Sequence, residues 1–364
     1  MKAIRLVNLF AFVLCLMATY ACEKPNNEVN NNDGSEDIII PDNEIWYTST
    51  DGKKISFLHP DKFEQNPIIS NIYENGKGVI KFQKSLTRIP EGAFECSLES
   101  GKKESSPYNL KSVQLPETVD TIIAGAFANC EQLEKIELPT SVSYIGDAAF
   151  CNTGIRSIRL PEGLEIIAGN MFMSCGYLSE VTLPKSVRRL MSYCFSVTGL
   201  KKIVIPEGVR SIGAGAFANS SLETIEFEGD LAYGTFGQNT FKNTRLKSIV
   251  IPGGISSLRA GSFVDCKYLK SVQIEEGVQS ITGEFINCTA LTEVTTPASL
   301  MYMTQSFSSC TALNTLNFKS SAPVDYKLES DMKSLEHIYV PKEAVNIYKE
   351  MLPDYARIIE GKDF

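Results

Sequence analysis

One short apolar phrase recurs along most of the chain. The pattern Leu-x-x-Val/Ile-x-Leu/Ile, with small variations, occurs eleven times at intervals of 22 to 24 residues. A unit of this length cannot bury its apolar side chains without a neighbour, so the regular spacing predicts a solenoid of stacked coils. The phrases begin at Leu110, Leu133, Ile155, Leu178, Leu200, Leu222, Leu246, Leu269, Leu291, Leu313 and Leu335.

Each phrase predicts one β-strand. In LEKIEL, apolar and polar residues alternate, which places Ile136 and Leu138 inward and Lys135 and Glu137 outward. A proline follows most phrases and ends the strand, because it cannot donate a hydrogen bond to a neighbouring strand. Since every coil runs in the same direction, the strands are predicted to pair in parallel. The prolines are Pro116, Pro139, Pro161, Pro184, Pro206, Pro252, Pro297 and Pro341.

A phenylalanine in each unit gives a second signal. It usually follows a small residue, as in AGAF and DAAF, and it is predicted to point into the coil. Together with the leucines it fixes the register of the repeats. The positions are Phe94, Phe127, Phe150, Phe172, Phe195, Phe217, Phe241, Phe263, Phe285 and Phe307.

Residues 38–85 precede the regular units and predict a β-rich N-terminal cap, because a solenoid must cover the apolar face of its terminal coil. The runs EIWYTS and KKISFL flank Asp51-Gly52 and predict a hairpin, and VIKF predicts another strand. Trp46, the only tryptophan, is predicted to pack in the core or the cap, with an exposed ligand-stacking ring as the alternative.

Residues 86–340 are predicted to form the solenoid. A polar run, CSLESGKKESSPYN, interrupts it before the first regular phrase and predicts a surface loop. Residues 341–364 predict a C-terminal cap, since Val345, Tyr348 and Leu352 recur at helical spacing on one side of a short segment.

The cysteines follow the same register. Several lie three residues after the repeated phenylalanine, which indicates a position that favours a small, weakly polar side chain. Side chains stacked in this way have parallel Cα–Cβ directions, which is unfavourable geometry for a disulfide. We therefore expect mostly free, buried thiols at Cys96, Cys130, Cys151, Cys175, Cys194, Cys266, Cys288 and Cys310.

The chain has a formal net charge of -8 and no basic cluster interleaved with aromatics, which disfavours a nucleic-acid partner. With two histidines and no metal-ligand or nucleophile motif, it predicts no catalytic residue, metal or cofactor. Paired outward glutamates could suit glycoside hydrolysis, but the basic residues between them favour a mixed charged surface. The candidate binding residues on the exposed strand face are Lys135, Glu137, Arg159, Glu180, Lys202, Glu226, Glu293, His337 and Tyr339.

Residues 1–21 have the form of a bacterial export signal, with Lys2 and Arg5 before an apolar run and small residues before Cys22. The segment resembles the lipobox of bacterial lipoproteins, which implies that Cys22 is lipidated; a plain secretory signal cleaved nearby is the alternative. Residues 22–37 are rich in Asn and acidic residues and predict a flexible tether.

The complete unit, L-x-x-I-x-L-P-x-x-V-x-x-I-G-x-x-A-F-x-x-C, resembles the BspA-like leucine-rich repeat of bacterial surface proteins. The final segment is similar to the one that closes such proteins in gut and oral bacteria. The resemblance implies a mainly β or α/β leucine-rich repeat solenoid with short parallel strands, an N-terminal β cap and a C-terminal helical cap.

The same resemblance implies a function. We expect an outer-membrane lipoprotein exposed at the cell surface, held in the membrane through Cys22, that acts as a non-catalytic binding module or adhesin. Its ligand would be a protein or glycan on a host or bacterial surface. The alternative is a periplasm-facing scaffold of the envelope with protein partners only.

Overall fold

The computed structural model describes residues 39–57, 60–96, 109–231, 234–255, 258–329 and 332–364. The signal segment, Cys22 and the tether lie outside these ranges, as does most of the polar insertion. Across the described ranges, no helix is both long enough and apolar enough to cross a bilayer. The predicted domain boundaries stay predictions.

All eleven leucine phrases form strands on one side of the solenoid, here together called the long-strand sheet, and most neighbouring strands pair in parallel, as Ile203 does with Ile225. The pairing is interrupted before Ser157–Arg159, before Lys202–Ile205 and before Ser248–Ile251. Burial alternates along them, so that in Lys202–Ile205 the two isoleucines are buried and the residues between are exposed. The predicted coils and their direction are confirmed. The strands are Leu110–Gln114, Lys135–Glu137, Ser157–Arg159, Glu180–Thr182, Lys202–Ile205, Thr224–Phe227, Ser248–Ile251, Ser271–Ile274, Glu293–Thr296, Thr315–Phe318 and His337–Pro341.

The second apolar segment of most coils forms a shorter strand, and these strands also pair in parallel. Most coils thus place one strand on each of two sides, with the core between them. The short strands are Arg88–Ile89, Thr121–Ile122, Tyr144–Ile145, Ile166–Ile167, Arg189–Leu190, Ser211–Ile212, Thr235–Phe236, Ser280–Thr282, Tyr302–Thr304 and Asp325–Lys327.

Prolines form the corner between the two sheets. The N–H of Val119 donates to the Pro116 carbonyl at 3.0 Å, and Val209 donates to Pro206 at the same distance. Each of these hydrogen bonds closes a four-residue turn that begins at the proline, whose ring fixes its φ. The strand therefore ends at the proline, as predicted.

The repeated phenylalanines form a continuous column inside the solenoid. Successive rings lie 5.0 to 5.8 Å apart between centroids, with planes within 14° of parallel. All ten are buried. The column confirms the predicted register of the coils.

The backbone turns tightly on both sides of each phenylalanine. The residue two before each phenylalanine has positive φ, and so does the residue two after each of them except Phe94. Glycine and asparagine adopt this conformation most readily. Among the described residues with positive φ, Val197 is the β-branched one, with a φ of 56°. The left-handed residues after the phenylalanines are Asn129, Asn152, Ser174, Val197, Asn219, Asn243, Asp265, Asn287 and Ser309.

Val197→Asn is expected to stabilise the protein by about 1 kcal/mol, because asparagine tolerates the left-handed backbone that strains valine. Val197 is exposed, so little packing is lost. The reverse change at the equivalent position, Ser174→Val, is expected to destabilise by a similar amount. Urea unfolding measures both, and changes of the same sign in the two variants would contradict the explanation.

The N-terminal cap consists of three antiparallel strands, Glu44–Ser49, Ile68–Glu74 and Lys77–Phe82, with a 3₁₀ turn at Pro60–Phe63. The predicted hairpin around Asp51-Gly52 is wrong. Glu44–Ser49 instead pairs with Lys77–Phe82 and with the first long strand of the solenoid. That solenoid edge would otherwise carry unpaired backbone groups, so it takes the cap strand as its partner.

The hairpin of the cap lies further along, where Ile68–Glu74 and Lys77–Phe82 pair around Asn75 and Gly76. Both turn residues have positive φ, 51° and 79°. An Asn-Gly pair is the sequence that such a two-residue turn favours.

The C-terminal cap contains the predicted helix, Val345–Met351, between 3₁₀ segments at Lys342–Ala344 and Pro353–Ile358. Tyr348 on this helix is buried and stacks on Phe318 with ring centroids 5.6 Å apart. A final strand, Ile359–Lys362, then pairs in parallel with His337–Pro341. The cap thus extends the long-strand sheet by one strand.

Candidate ligand-binding face

The outward side of the long-strand sheet, here called the strand face, carries the candidate binding residues. Seven of the nine are exposed, as the alternation predicts, and His337 and Tyr339 are half-buried. The face continues onto the N-terminal cap, because Trp46 pairs with Gln114 and Gln114 with Glu137. The exposed seven are Lys135, Glu137, Arg159, Glu180, Lys202, Glu226 and Glu293.

A shallow groove crosses the first half of the strand face. Its larger part has a volume of about 1080 Å³ and includes Lys135, Glu137, Arg159 and Glu180 in its lining. A second part of about 490 Å³ adjoins it and includes Glu180 and Lys202. This central groove, defined by these five residues, brings together more than half of the predicted site.

Most charges of the central groove are paired. Lys135 Nζ lies 2.6 Å from Glu137 Oε1, and Gln114 Nε2 donates to Glu137 Oε2 at 3.1 Å. Those two hydrogen bonds, with the Lys135 bond the stronger influence, hold the pKa of Glu137 below its usual value. Lys202 Nζ similarly lies 2.7 Å from Glu226 Oε1. Exposed pairs of this kind contribute little stability, so they mainly set the pattern of charge.

Two charged groups of the groove are unpaired. Arg159 and Glu180 form no hydrogen bond or ion pair through their side chains with any residue that the structure describes. A guanidinium presents a planar fork of donors, and a carboxylate presents acceptors only. The centre of the groove thus offers one free donor group and one free acceptor group on neighbouring strands.

The N-terminal end of the strand face carries Trp46, which is half-buried there and absent from the buried core. Lys77 Nζ lies 2.8 Å from the centroid of its ring, and its Nε1 donates to Glu44 at 2.9 Å. Of the predicted packing in the core or the cap, the cap part holds: Trp46 contacts the cap residues Lys77 and Glu44, and its side of the strand faces away from the core. Lys77, rather than a ligand, covers the ring.

The C-terminal end of the strand face collects Glu293, His337 and Tyr339. The His337 and Tyr339 rings lie parallel with centroids 5.6 Å apart, and Lys362 Nζ is 4.8 Å from the Tyr339 centroid. Asn317, which the alternation places outward, is buried and donates to Glu293 at 2.8 Å. Sequence reasoning did not identify Lys362. The alternation of residues with a period of two after the helix is the signal that would have placed its side chain on the strand face.

The cysteines of the described part are free, and all but Cys151 are buried, as predicted. Five of their thiols donate to the phenylalanine carbonyl of the preceding coil, as from Cys175 to Phe150 at 3.0 Å. Burial raises the pKa of Cys175 to about 11, so the thiol stays protonated at neutral pH. Within the described ranges, no three His, Cys, Asp or Glu residues are grouped to hold a metal ion.

The stacked coils, the phenylalanine column and the charged strand face define a leucine-rich repeat solenoid. The chain belongs to the BspA type leucine rich repeat family, whose model matches residues 102–224 and 234–355 in six copies, more than half of the sequence. The resemblance drawn from the repeat is confirmed.

Several solved structures are similar to the chain. They include a leucine rich cell surface protein from Faecalibacterium prausnitzii, 25% identical, covering 76% of this chain and 82% of that one, with a TM-score of 0.43. A leucine-rich repeat protein from Bacteroides ovatus is 21% identical over 80% and 90%, with a TM-score of 0.46. The pneumococcal vaccine antigen PcpA is 17% identical over 82% and 88%, with a TM-score of 0.48. No curated protein matches the chain.

Proposed function

We propose that this protein is a non-catalytic binding module of the cell envelope that holds a protein or glycan ligand on its strand face. The observation that carries the proposal is the central groove, where Arg159 and Glu180 are unpaired among paired charges. Both side chains project from strands of the long-strand sheet whose backbone is fixed by the core, so their attachment points are positioned before a ligand arrives. Long surfaces built on stacked repeats suit recognition of extended macromolecules.

The proposed location rests on the N-terminal sequence. The apolar run and Cys22 suit an exported lipoprotein, and residues 22–37 would hold the solenoid away from the membrane. Palmitate labelling that marks the wild type and spares Cys22→Ala supports the anchor. Protease treatment of intact cells then separates a surface adhesin, which is digested, from the periplasm-facing scaffold, which is protected.

Binding is expected to depend on the two unpaired groups. In a panel of matrix proteins, mucin and glycans, the wild type should bind at least one ligand saturably. Arg159→Ala and Glu180→Ala should each weaken that binding by about tenfold, or about 1.4 kcal/mol. Their melting temperatures should stay close to the wild type, because both side chains are exposed.

The matched control is Arg189→Ala, an exposed arginine on a short strand of the opposite sheet. It should leave binding unchanged. Absence of saturable binding by the wild type removes the proposal, and equal loss in the control places the ligand elsewhere on the solenoid.

A further inference from the structure

Two cysteine thiols meet at the N-terminal end of the solenoid. Cys96 Sγ donates to Cys130 Sγ at 3.5 Å, and both residues are buried. They lie in the first two coils, beside Phe94 and Phe127 of the stacked column. The two sulfurs are already in contact, so a small movement brings them to bonding distance.

The register explains why this pair converges. Cys130 lies three residues after its phenylalanine, like Cys288 and Cys310 in later coils, but Cys96 lies only two residues after Phe94. Cysteines in equivalent positions point the same way and stack side by side. Cys96 is displaced by one position along the backbone, so this pair does not occupy equivalent positions of the repeat.

We propose that Cys96 and Cys130 form a disulfide that joins the first coil to the second. The oxidant is an external disulfide, carried by a thiol–disulfide oxidoreductase or by glutathione. One cysteine thiolate attacks the external disulfide and releases one thiol, which leaves a mixed disulfide. The second thiolate then attacks the protein sulfur of the mixed disulfide, forms the Cys96–Cys130 bond and releases the second thiol.

The two-step exchange balances, because two protein thiols lose two electrons and two protons while one external disulfide becomes two thiols. Exported proteins meet such oxidants outside the cytoplasm. In the folded reduced protein, burial and the Cys96 thiol raise the pKa of Cys130, which slows attack. The reaction therefore belongs to folding, or to opening of the first coil, which has a neighbouring coil on one side only.

The bond has a structural consequence that fits its position. Residues 97–108, the polar insertion, lie between the two cysteines in sequence. Cross-linking closes this stretch into a loop and lowers the conformational entropy of the unfolded chain. The disulfide thus cross-links the first two coils at the end of the solenoid that carries the insertion.

The full chain, refolded at pH 8 with a mixture of reduced and oxidised glutathione, tests the proposal. After alkylation in denaturant, the oxidised protein should carry two fewer alkyl groups than a reduced sample. Proteolysis should release one cross-linked peptide pair that contains Cys96 and Cys130. The oxidised protein should melt several degrees higher, and dithiothreitol should reverse the shift.

Single variants act as controls. Cys96→Ser and Cys130→Ser should each abolish the loss of two alkyl groups, whereas Cys288→Ser should retain it. Equal alkylation with and without oxidant overturns the proposal, and so does a cross-linked peptide that joins Cys288 to Cys310. Peptide mapping of the wild type decides the outcome even where a variant fails to fold.

Discussion

Stability is expected to fall by on the order of 4 kcal/mol between pH 5 and pH 8 through one residue, Glu284. Its side chain is fully buried, in the position before Phe285 where most other coils carry a small residue. One carboxyl oxygen accepts a hydrogen bond from the Thr282 N–H at 2.9 Å, and the other has no partner among the described residues. Burial raises the pKa of Glu284 to about 8, against an ordinary value of 4.5.

The direction of this change in stability follows from the raised pKa of Glu284. Between pH 4.5 and 8, the folded protein keeps the proton on Glu284 while the unfolded chain releases it, so unfolding is favoured as pH rises. Below this window both states are protonated, and above it both are ionised. The loss of stability is therefore confined to the window.

Glu284→Gln keeps the shape of the side chain and removes the titration. The difference in unfolding free energy between this variant and the wild type should grow from pH 5 to pH 8 and then level off. Glu336→Gln, at an exposed glutamate, is the control and should show no such trend. A constant difference for Glu284→Gln, measured by urea unfolding at each pH, would contradict the explanation.

Phe172→Ala is expected to destabilise the protein by about 3 to 5 kcal/mol. Phe172 is buried in the middle of the column and stacks on Phe150 and Phe195 at 5.6 and 5.5 Å. Its removal leaves a cavity and ends two stacking contacts at once. Because each coil contacts only its neighbours, the lesion should also weaken coupling between the two halves of the solenoid.

Urea unfolding followed by both circular dichroism and tyrosine fluorescence measures this effect. The midpoint should fall, and the two probes should separate if the halves unfold independently. Phe227→Ala is the control, since Phe227 is half-buried outside the column and should cost less. A loss below about 1 kcal/mol for Phe172→Ala would show that the column is not the main support of the core.

The repeat itself could be predicted because its signals are local and repeated. Leucines and phenylalanines recur at one period, so each coil confirms the placement of the next. The cysteine register followed from the same period, and the side chains of Lys135 and Arg159 could be placed outward by alternation alone. These positions depend on contacts that recur in every coil, so the repeat in the sequence is enough to predict them.

The ends of the solenoid could not be predicted in the same way. Two pairings are open to Glu44–Ser49, one with a strand nearby in sequence and one with the edge of the first coil. Only the tertiary structure shows which pairing forms. Trp46 then faces outward because of the pairing, and Lys362 reaches Tyr339 because the chain returns after the helix. Each depends on a contact that occurs once.

Because the phenylalanine column is evenly spaced, the length of the solenoid can change without a change in the residues of its individual coils. Each cap contacts the coils at its own end, so the 22-residue unit beginning at Leu200 is, in architectural terms, interchangeable with its neighbours. Adding or removing one such unit moves the two ends of the strand face by about 4.8 Å, the spacing of paired strands. The number of units thus sets the length of the strand face, and a change in that number alters the length without changing the residues of the other coils.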